Sequence, residues 1–156
     1  GIANHDNMGG IFRNAAAFGA SAVILDSDCC DPLYRKAIRV SVGATLTVPF
    51  ARLERGEDAP AVLAAHGFRA IALSPAGTAD LAALAPAGRV AALFGAEGPG
   101  LPAGVLATAE TVRIAMAGAI DSLNVATASG IVLHHLATGA SVAGDGAPGM
   151  RASGSG

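Results

Sequence analysis

Charge is scarce in this chain. Asp, Glu, Lys and Arg make up 14% of its 156 residues, against about 25% in an average soluble domain, which leaves much of the surface to Ala, Gly, Ser and Thr. Ten basic residues face twelve acidic ones, a formal net charge of −2. No global field therefore recruits nucleic acid or an anionic membrane, and a polyanionic partner has to be met locally. Cysteine is nearly absent, with only Cys29 and Cys30. Adjacent cysteines cannot build a disulfide framework and lack metal-ligand spacing, so both read as structural thiols of a reducing compartment. The four histidines, at 5, 66, 134 and 135, have no carboxylate or cysteine at ligand spacing, and no metal site is expected. A charged segment followed by an apolar one, as in a signal peptide, is also lacking at the start. The first residue is Gly1 rather than Met, which is the expectation for a segment of a longer protein.

What is present is apolar. Hydrophobic residues account for 52% of the chain and the mean hydropathy is +0.51, enough for a filled core and too much for intrinsic disorder. The length suits one domain. From Ser122 to Gly144 there is no Asp, Glu, Lys or Arg, over a length that could span a bilayer. Ser122, Asn124, Thr127, Ser129, His134 and His135 interrupt it. Burying those groups in lipid is costly, so the stretch is expected to be a helix buried in protein.

Short apolar runs alternate with stretches of helical periodicity. Val23 to Leu25, Thr45 to Phe50, Arg69 to Leu73, Val90 to Phe94 and Val112 to Met116 read as strands buried on both faces. Helices are expected over Gly10 to Phe18, Pro32 to Val40, Asp58 to His66, Thr78 to Ala85 and Ser122 to Ala137. Asp31-Pro32, Thr78-Ala79-Asp80 and Asp121-Ser122 are the start signals. The alternation implies an α/β fold: a parallel sheet with helices on both faces. Residues 1–138 form the expected domain, and Gly139 to Gly156, rich in Gly, Ala and Ser, the expected flexible tail.

Ligands of open parallel sheets bind in the loops beyond the strands' carboxyl ends. One such loop is Gly95-Ala96-Glu97-Gly98-Pro99-Gly100, and another runs from Ala117 to Asn124. A third polar cluster, Asn4 to Gly10, precedes the first expected helix. The glycine loop has neither the dinucleotide spacing nor the Lys-Ser/Thr of a phosphate loop, which removes a nucleotide-dependent oxidoreductase from consideration. It offers bare backbone and one carboxylate, Glu97, or else an ordinary strand-to-helix turn. Arg13 suits a phosphate or carboxylate, or a solvated helix face. Ser122 and Asn124 stand where helix capping accounts for at least one of them. Arg35, Lys36 and Arg39 are the only basic concentration, able to meet an RNA backbone or simply to be solvated.

The order and wording of three segments resemble one family. Asn7-Met8-Gly9-Gly10-Ile11-Phe12-Arg13-Asn14-Ala15-Ala16-Ala17-Phe18-Gly19 is similar to the first motif of the SpoU (TrmH-like) RNA 2′-O-ribose methyltransferases. Phe94 to Leu101 resembles the second, and Ile114-Ala115-Met116 with Ser122-Leu123-Asn124-Val125-Ala126 the third. The resemblance spans Asn7 to Leu136. It implies the SPOUT fold, in which the carboxyl-terminal segment is threaded into a deep trefoil knot that binds S-adenosyl-L-methionine. It further implies a homodimer acting on structured rRNA or tRNA in the cytoplasm, with an RNA-binding domain that many members carry ahead of the first motif and this chain lacks.

Carried over by position, the catalytic residues implied are Asn7, Arg13, Glu97, Ser122 and Asn124. The cofactor-binding residues implied are Gly95, Glu97, Gly98, Ile114, Met116, Ser122, Leu123 and Asn124. Arg13 would face the ribose hydroxyl and its phosphate. A guanidinium holds its proton at physiological pH, so an orienting and electrostatic role suits it better than that of an unassisted base. The competing expectation is a dimeric module of the same fold that binds cofactor or RNA without catalysing. One departure is Leu133-His134-His135, where the family commonly has a tyrosine.

Overall fold

A computed structural model describes residues 1–118 and 122–144. Helix α1 spans His5–Ala17, five residues earlier than Gly10, where the periodicity starts. Asn4 sets that start, its side-chain oxygen accepting from the Asp6 amide at 2.8 Å. The Gly9-Gly10 pair inside the helix is a packing device. A Cβ on Gly9 would lie 2.8 Å from the Val40 Cβ, and one on Gly10 2.6 Å from the Ala126 Cβ. Helices α2 (Arg35–Val40) and α6 (Val125–Gly144) thus close on α1 at bare backbone.

Strand β1 (Val23–Leu25) pairs in parallel with β2 (Phe50–Arg52). A second sheet contains β3 (Arg69–Leu73), β4 (Ala79–Asp80), β5 (Val90–Leu93) and β6 (Glu110–Arg113) in the order β4-β6-β3-β5, again parallel throughout. The parallel α/β architecture read from the sequence is therefore present. The small sheet departs from the expectation of strands buried on both faces. Leu25 enters the core, but Ile24 remains 46% exposed and every residue of β2 is exposed.

Two further segments differ from their sequence reading. Thr45 to Phe50 was expected as strand, yet α3 (Ala44–Thr47) precedes β2. Gly43, at φ 81°, turns the chain left-handed there, and the buried Ser41 hydroxyl accepts from the Thr45 amide at 3.3 Å, which starts a helical turn. The helix expected over Thr78 to Ala85 is instead β4 followed by a 3-10 turn, Leu81–Ala83. Here the Thr78 amide donates to the Thr111 hydroxyl at 3.2 Å and Arg113 Nε to Asp80 at 2.6 Å, drawing the segment onto the sheet edge. Helix α4 (Ala59–Ala65) falls where expected, and the short α5 (Ala103–Thr108) was not anticipated. Helix α6 extends to Gly144, past the expected domain boundary at 138; the remainder of the expected tail and Ala119, Ile120 and Asp121 lie outside the described residues.

Met8, Phe12, Ala15, Leu25, Ala37 and Val48 form one core beneath α1. Ile71, Leu81, Leu84, Val112 and Val132 form another against the large sheet. Phe94 packs against both, and α6 contributes Val125 to the first and Val132 to the second. Cys29 and Cys30 are free thiols packed on the first core. Burial, and then the neighbouring Cys29 sulfur, push the Cys30 thiol up from its ordinary value, which disfavours a reactive thiolate. Among the described residues no helix is long and apolar enough to cross a membrane.

Candidate cofactor and catalytic site

Three strands of the large sheet end at one cavity of about 590 Å³, within the range of small-molecule sites. Its walls come from Leu73, Ser74 and Pro75 at and after the end of β3, from Phe94 to Gly98 and Gly100 after β5, from Val112, Ile114 and Met116 at and after β6, and from Ser122 to Val125 and Ala128 before and in the first turn of α6. All eight residues expected to bind cofactor line it: Gly95, Glu97, Gly98, Ile114, Met116, Ser122, Leu123 and Asn124. The cavity is also lined by Leu73, Ser74, Pro75, Phe94, Ala96, Gly100, Val112, Val125 and Ala128, which the sequence reading did not name as cofactor-binding, although Phe94, Ala96 and Gly100 belong to the second motif and Val125 to the third. Leu73, Ser74, Pro75, Val112 and Ala128 lie outside the motifs, and only a place at the carboxyl edge of the sheet or on the first turn of α6 could have marked them.

The glycine loop is shaped by contact with itself. A Cβ on Gly95 would lie 2.2 Å from the Gly100 carbonyl carbon and 2.3 Å from the Leu101 nitrogen. Gly100 donates from its amide to the Ala96 carbonyl at 3.0 Å, and Gly98 and Gly100 have φ of 85° and 71°. The loop folds back on bare backbone, which leaves amides and carbonyls at the cavity wall.

Beside the cavity a hydrogen-bonded cluster ties the three motifs together. Asn124 caps α6, its Oδ1 accepting from the Ala126 and Thr127 amides at 2.9 and 3.3 Å. Its Nδ2 donates to Asn7 Oδ1 at 2.8 Å, and more weakly to Glu97 Oε1 at 3.3 Å. Asn7, buried on α1, donates from Nδ2 to the same Glu97 oxygen at 2.8 Å. The cap fixes Asn124, Asn124 fixes the Asn7 amide, and both donate to Glu97. Glu97 Oε2 takes no donor among the described residues and is left to accept from a hydroxyl or amine.

Two expected residues stand apart. Ser122 lines the cavity but its hydroxyl has no partner among the described residues. Arg13 is exposed on α1, does not line the cavity and makes no hydrogen bond or ion pair among the described residues. The helix geometry explains the separation: Arg13 lies six residues after Asn7, about 9 Å along the axis and a third of a turn around it.

The cavity fits S-adenosyl-L-methionine in size, apolar lining and chemistry. Leu73, Phe94, Ile114, Met116 and Leu123 offer surface to a purine and to the methylene groups beside the sulfonium, and the loop backbone offers donors and acceptors to its polar edge.

Comparison with known proteins agrees with this geometry. The sequence profile of the SpoU rRNA methylase family matches residues 1–134. An uncharacterised tRNA/rRNA methyltransferase of Mycobacterium bovis is 42% identical over 89% of the chain and 52% of its own length. A 23S rRNA (guanosine-2′-O-)-methyltransferase of Vibrio vulnificus is 34% identical over 85% of the chain and 54% of its own length. The chain thus spans about half the length of these relatives. Among solved structures, the AdoMet-bound SpoU methyltransferase AviRb of Streptomyces viridochromogenes superposes with a TM-score of 0.81 at 27% identity, covering 90% of this chain and 58% of its own. An AdoMet-bound rRNA methyltransferase of Sinorhizobium meliloti does so at 0.77 and 31% identity, covering 86% of this chain and 52% of its own. With three motifs converging on one cavity and the family profile covering nearly the whole described chain, the protein belongs to the SpoU rRNA methylase family.

Proposed function

We propose that this chain is the catalytic domain of an S-adenosyl-L-methionine-dependent methyltransferase that modifies a ribose 2′-hydroxyl of structured rRNA or tRNA. The observation that carries the reading is the Asn7–Glu97–Asn124 cluster at the mouth of a cavity lined by every residue expected to bind the cofactor. The names of relatives favour it over the non-catalytic alternative, since they are methyltransferases of tRNA and rRNA.

Gly95, Glu97, Gly98, Ile114, Met116, Ser122, Leu123 and Asn124 would hold the cofactor, which when bound supplies an electrophilic methyl group. The chain's own part is positioning and charge. A well-oriented pair of reactants contributes on the order of ~7–11 kcal/mol to barrier reduction. Glu97 Oε2, held by the two asparagines on its other oxygen, orients a hydroxyl or amine. Arg13 stabilises the alkoxide that develops as the 2′-oxygen passes its proton to solvent water, and grips the adjacent phosphate. Because Arg13 stands away from its own protomer's cavity, the reading includes a homodimer whose sites draw on both subunits. It includes, too, the trefoil knot of the family resemblance, and the hydrogen bond from Asn124 to Glu97 supports only that the Ser122–Asn124 segment lies against the glycine loop. A cytoplasmic location accords with the free cysteines.

Calorimetric titration with S-adenosyl-L-methionine, followed by transfer of labelled methyl to total RNA and nuclease digestion to nucleosides, tests the proposal. Micromolar binding and label on 2′-O-methylribose are expected. Binding without any label on RNA would overturn the catalytic reading in favour of the non-catalytic module.

A further inference from the structure

The start of the first two helices carries a feature that neither the cavity nor the asparagine cluster uses. Tyr34 is 57% exposed at the head of α2, and its ring centroid lies 4.5 Å from that of His5, the planes tilted by 42°. His5 is the first residue of α1 and half-buried, so it braces the tyrosine from one side and leaves the rest of the ring open. Arg35 and Arg39 follow, one turn apart on one face of α2. Both are exposed, and neither makes a hydrogen bond or ion pair among the described residues.

The surrounding acids are already engaged. Asp6 takes Lys36 Nζ at 2.6 Å, and Asp31 accepts from the Leu33 amide at 2.8 Å. Asp31 keeps its charge when it accepts a neutral amide, so Arg35 and Arg39 leave a local excess of one positive charge there, on a chain of net charge −2. Its location is relevant too. His5 precedes Asn7 by two residues, about 3 Å along the helix axis and about 200° around it, so the ring pair stands at the same end of α1 as the Asn7–Glu97 hydrogen bond of 2.8 Å but on the opposite side of the helix.

An open aromatic face followed in the chain by two guanidinium groups without an ion-pair partner among the described residues is the chemistry that recognises an unpaired nucleotide: the base stacks on the ring and the arginines take the flanking phosphates. A base inside a duplex has no free face to offer. We propose that Tyr34, braced by His5 and flanked by Arg35 and Arg39, is a stacking platform for one unpaired nucleotide of the RNA substrate. This rests on the methyl-transfer reading above and adds the RNA conformation that the enzyme takes.

Tyr34 is the only tyrosine and the chain has no tryptophan, so intrinsic tyrosine emission reports on this ring alone. The test is a titration of the chain with a short oligouridylate, with its duplex with oligoadenylate, and with inorganic polyphosphate, which has the charge but no bases. The single strand is expected to quench Tyr34 saturably, and polyphosphate to bind without quenching. Tyr34→Ala should weaken oligouridylate binding about tenfold. The double substitution Arg35→Gln, Arg39→Gln should reduce the salt slope by about 1.4. S-adenosyl-L-methionine affinity, measured on each variant, should stay within twofold and so certify the fold. Single-strand binding without quenching, no single-strand binding by chain that binds S-adenosyl-L-methionine, or equal quenching by duplex would each overturn the platform. Label transfer to RNA by the unsubstituted chain is read separately, so either proposal can fail without the other.

Discussion

Arg13 combines exposure, a guanidinium with no partner among the described residues and a place outside the cavity. If its work is to meet developing negative charge, removing it should spare the ground state. Arg13→Ala is expected to lower methyl transfer on the order of 10²–10³-fold while calorimetric cofactor affinity changes less than twofold; an equal loss of both would refute the role. The residue scale is also where the sequence spoke most clearly. Glu97, Asn7 and Asn124 were marked by the resemblance of three motifs to one family, and the structure joins them in one cluster. Leu73 and Val112 carry no such mark, because an apolar strand residue looks alike whether it faces a core or a cofactor. The distance of Arg13 from the cluster is a matter of helix phase and of where α1 packs, which no motif encodes.

At the scale of elements, α1 and α6 meet at Gly10, where an added Cβ would lie 2.6 Å from that of Ala126. Gly10→Ala gains helix propensity, but the contact forces the helices apart. Overpacking of this kind costs about 1–3 kcal/mol. Since α1 carries Asn7 and the head of α6 carries Asn124, the same shift stretches their 2.8 Å hydrogen bond. Denaturant unfolding should show the variant less stable despite its better propensity, and its cofactor affinity should fall as well.

The β4–β6 edge supplies a pH-dependent counterpart. The Arg113 hydrogen bond holds the Asp80 carboxyl below its ordinary value. A depressed carboxylate contributes stability that is present above the unfolded-state pKa of about 3.9 and is lost as pH falls through the folded value. Asp80→Asn should therefore be less stable than the unsubstituted chain at pH 7, and the gap should close below about pH 4 in paired urea titrations. This pair also explains why Thr78 to Ala85 misled: its periodicity suits a helix, but Asp80 and Thr78 find partners on β6. Those partners are distant in sequence and invisible to a local pattern. Thr45 to Phe50 failed for the opposite reason, a local one. Gly43 and Ser41 begin a helical turn that β-branched residues alone would not suggest. The long apolar stretch after Ser122 was legible as a helix because its length and lack of charge left few alternatives.

For the whole molecule the cavity makes stability and ligand binding one quantity. It is walled by segments following β3, β5 and β6 and by the head of α6, so a ligand there links parts of the chain that unfolding must separate. A ligand at 100 times its dissociation constant adds about 2.7 kcal/mol to the native state if it does not bind the unfolded chain. At roughly 2–4 °C per kcal/mol for a chain of this size, that is a rise in Tm of about 5–10 °C. S-adenosylhomocysteine, which keeps the purine and amino-acid parts of the cofactor without its methyl, is expected to produce this rise in a thermal scan. NAD should not, because the glycine loop has the G-x-x-G-x-G spacing of Gly95, Gly98 and Gly100 and lacks the helix-opening fingerprint that cradles a pyrophosphate. A rise with NAD equal to that with S-adenosylhomocysteine would mean that the cavity accepts any adenosine ligand. The cofactor assignment would then lose its basis in the loop, even with the family membership intact.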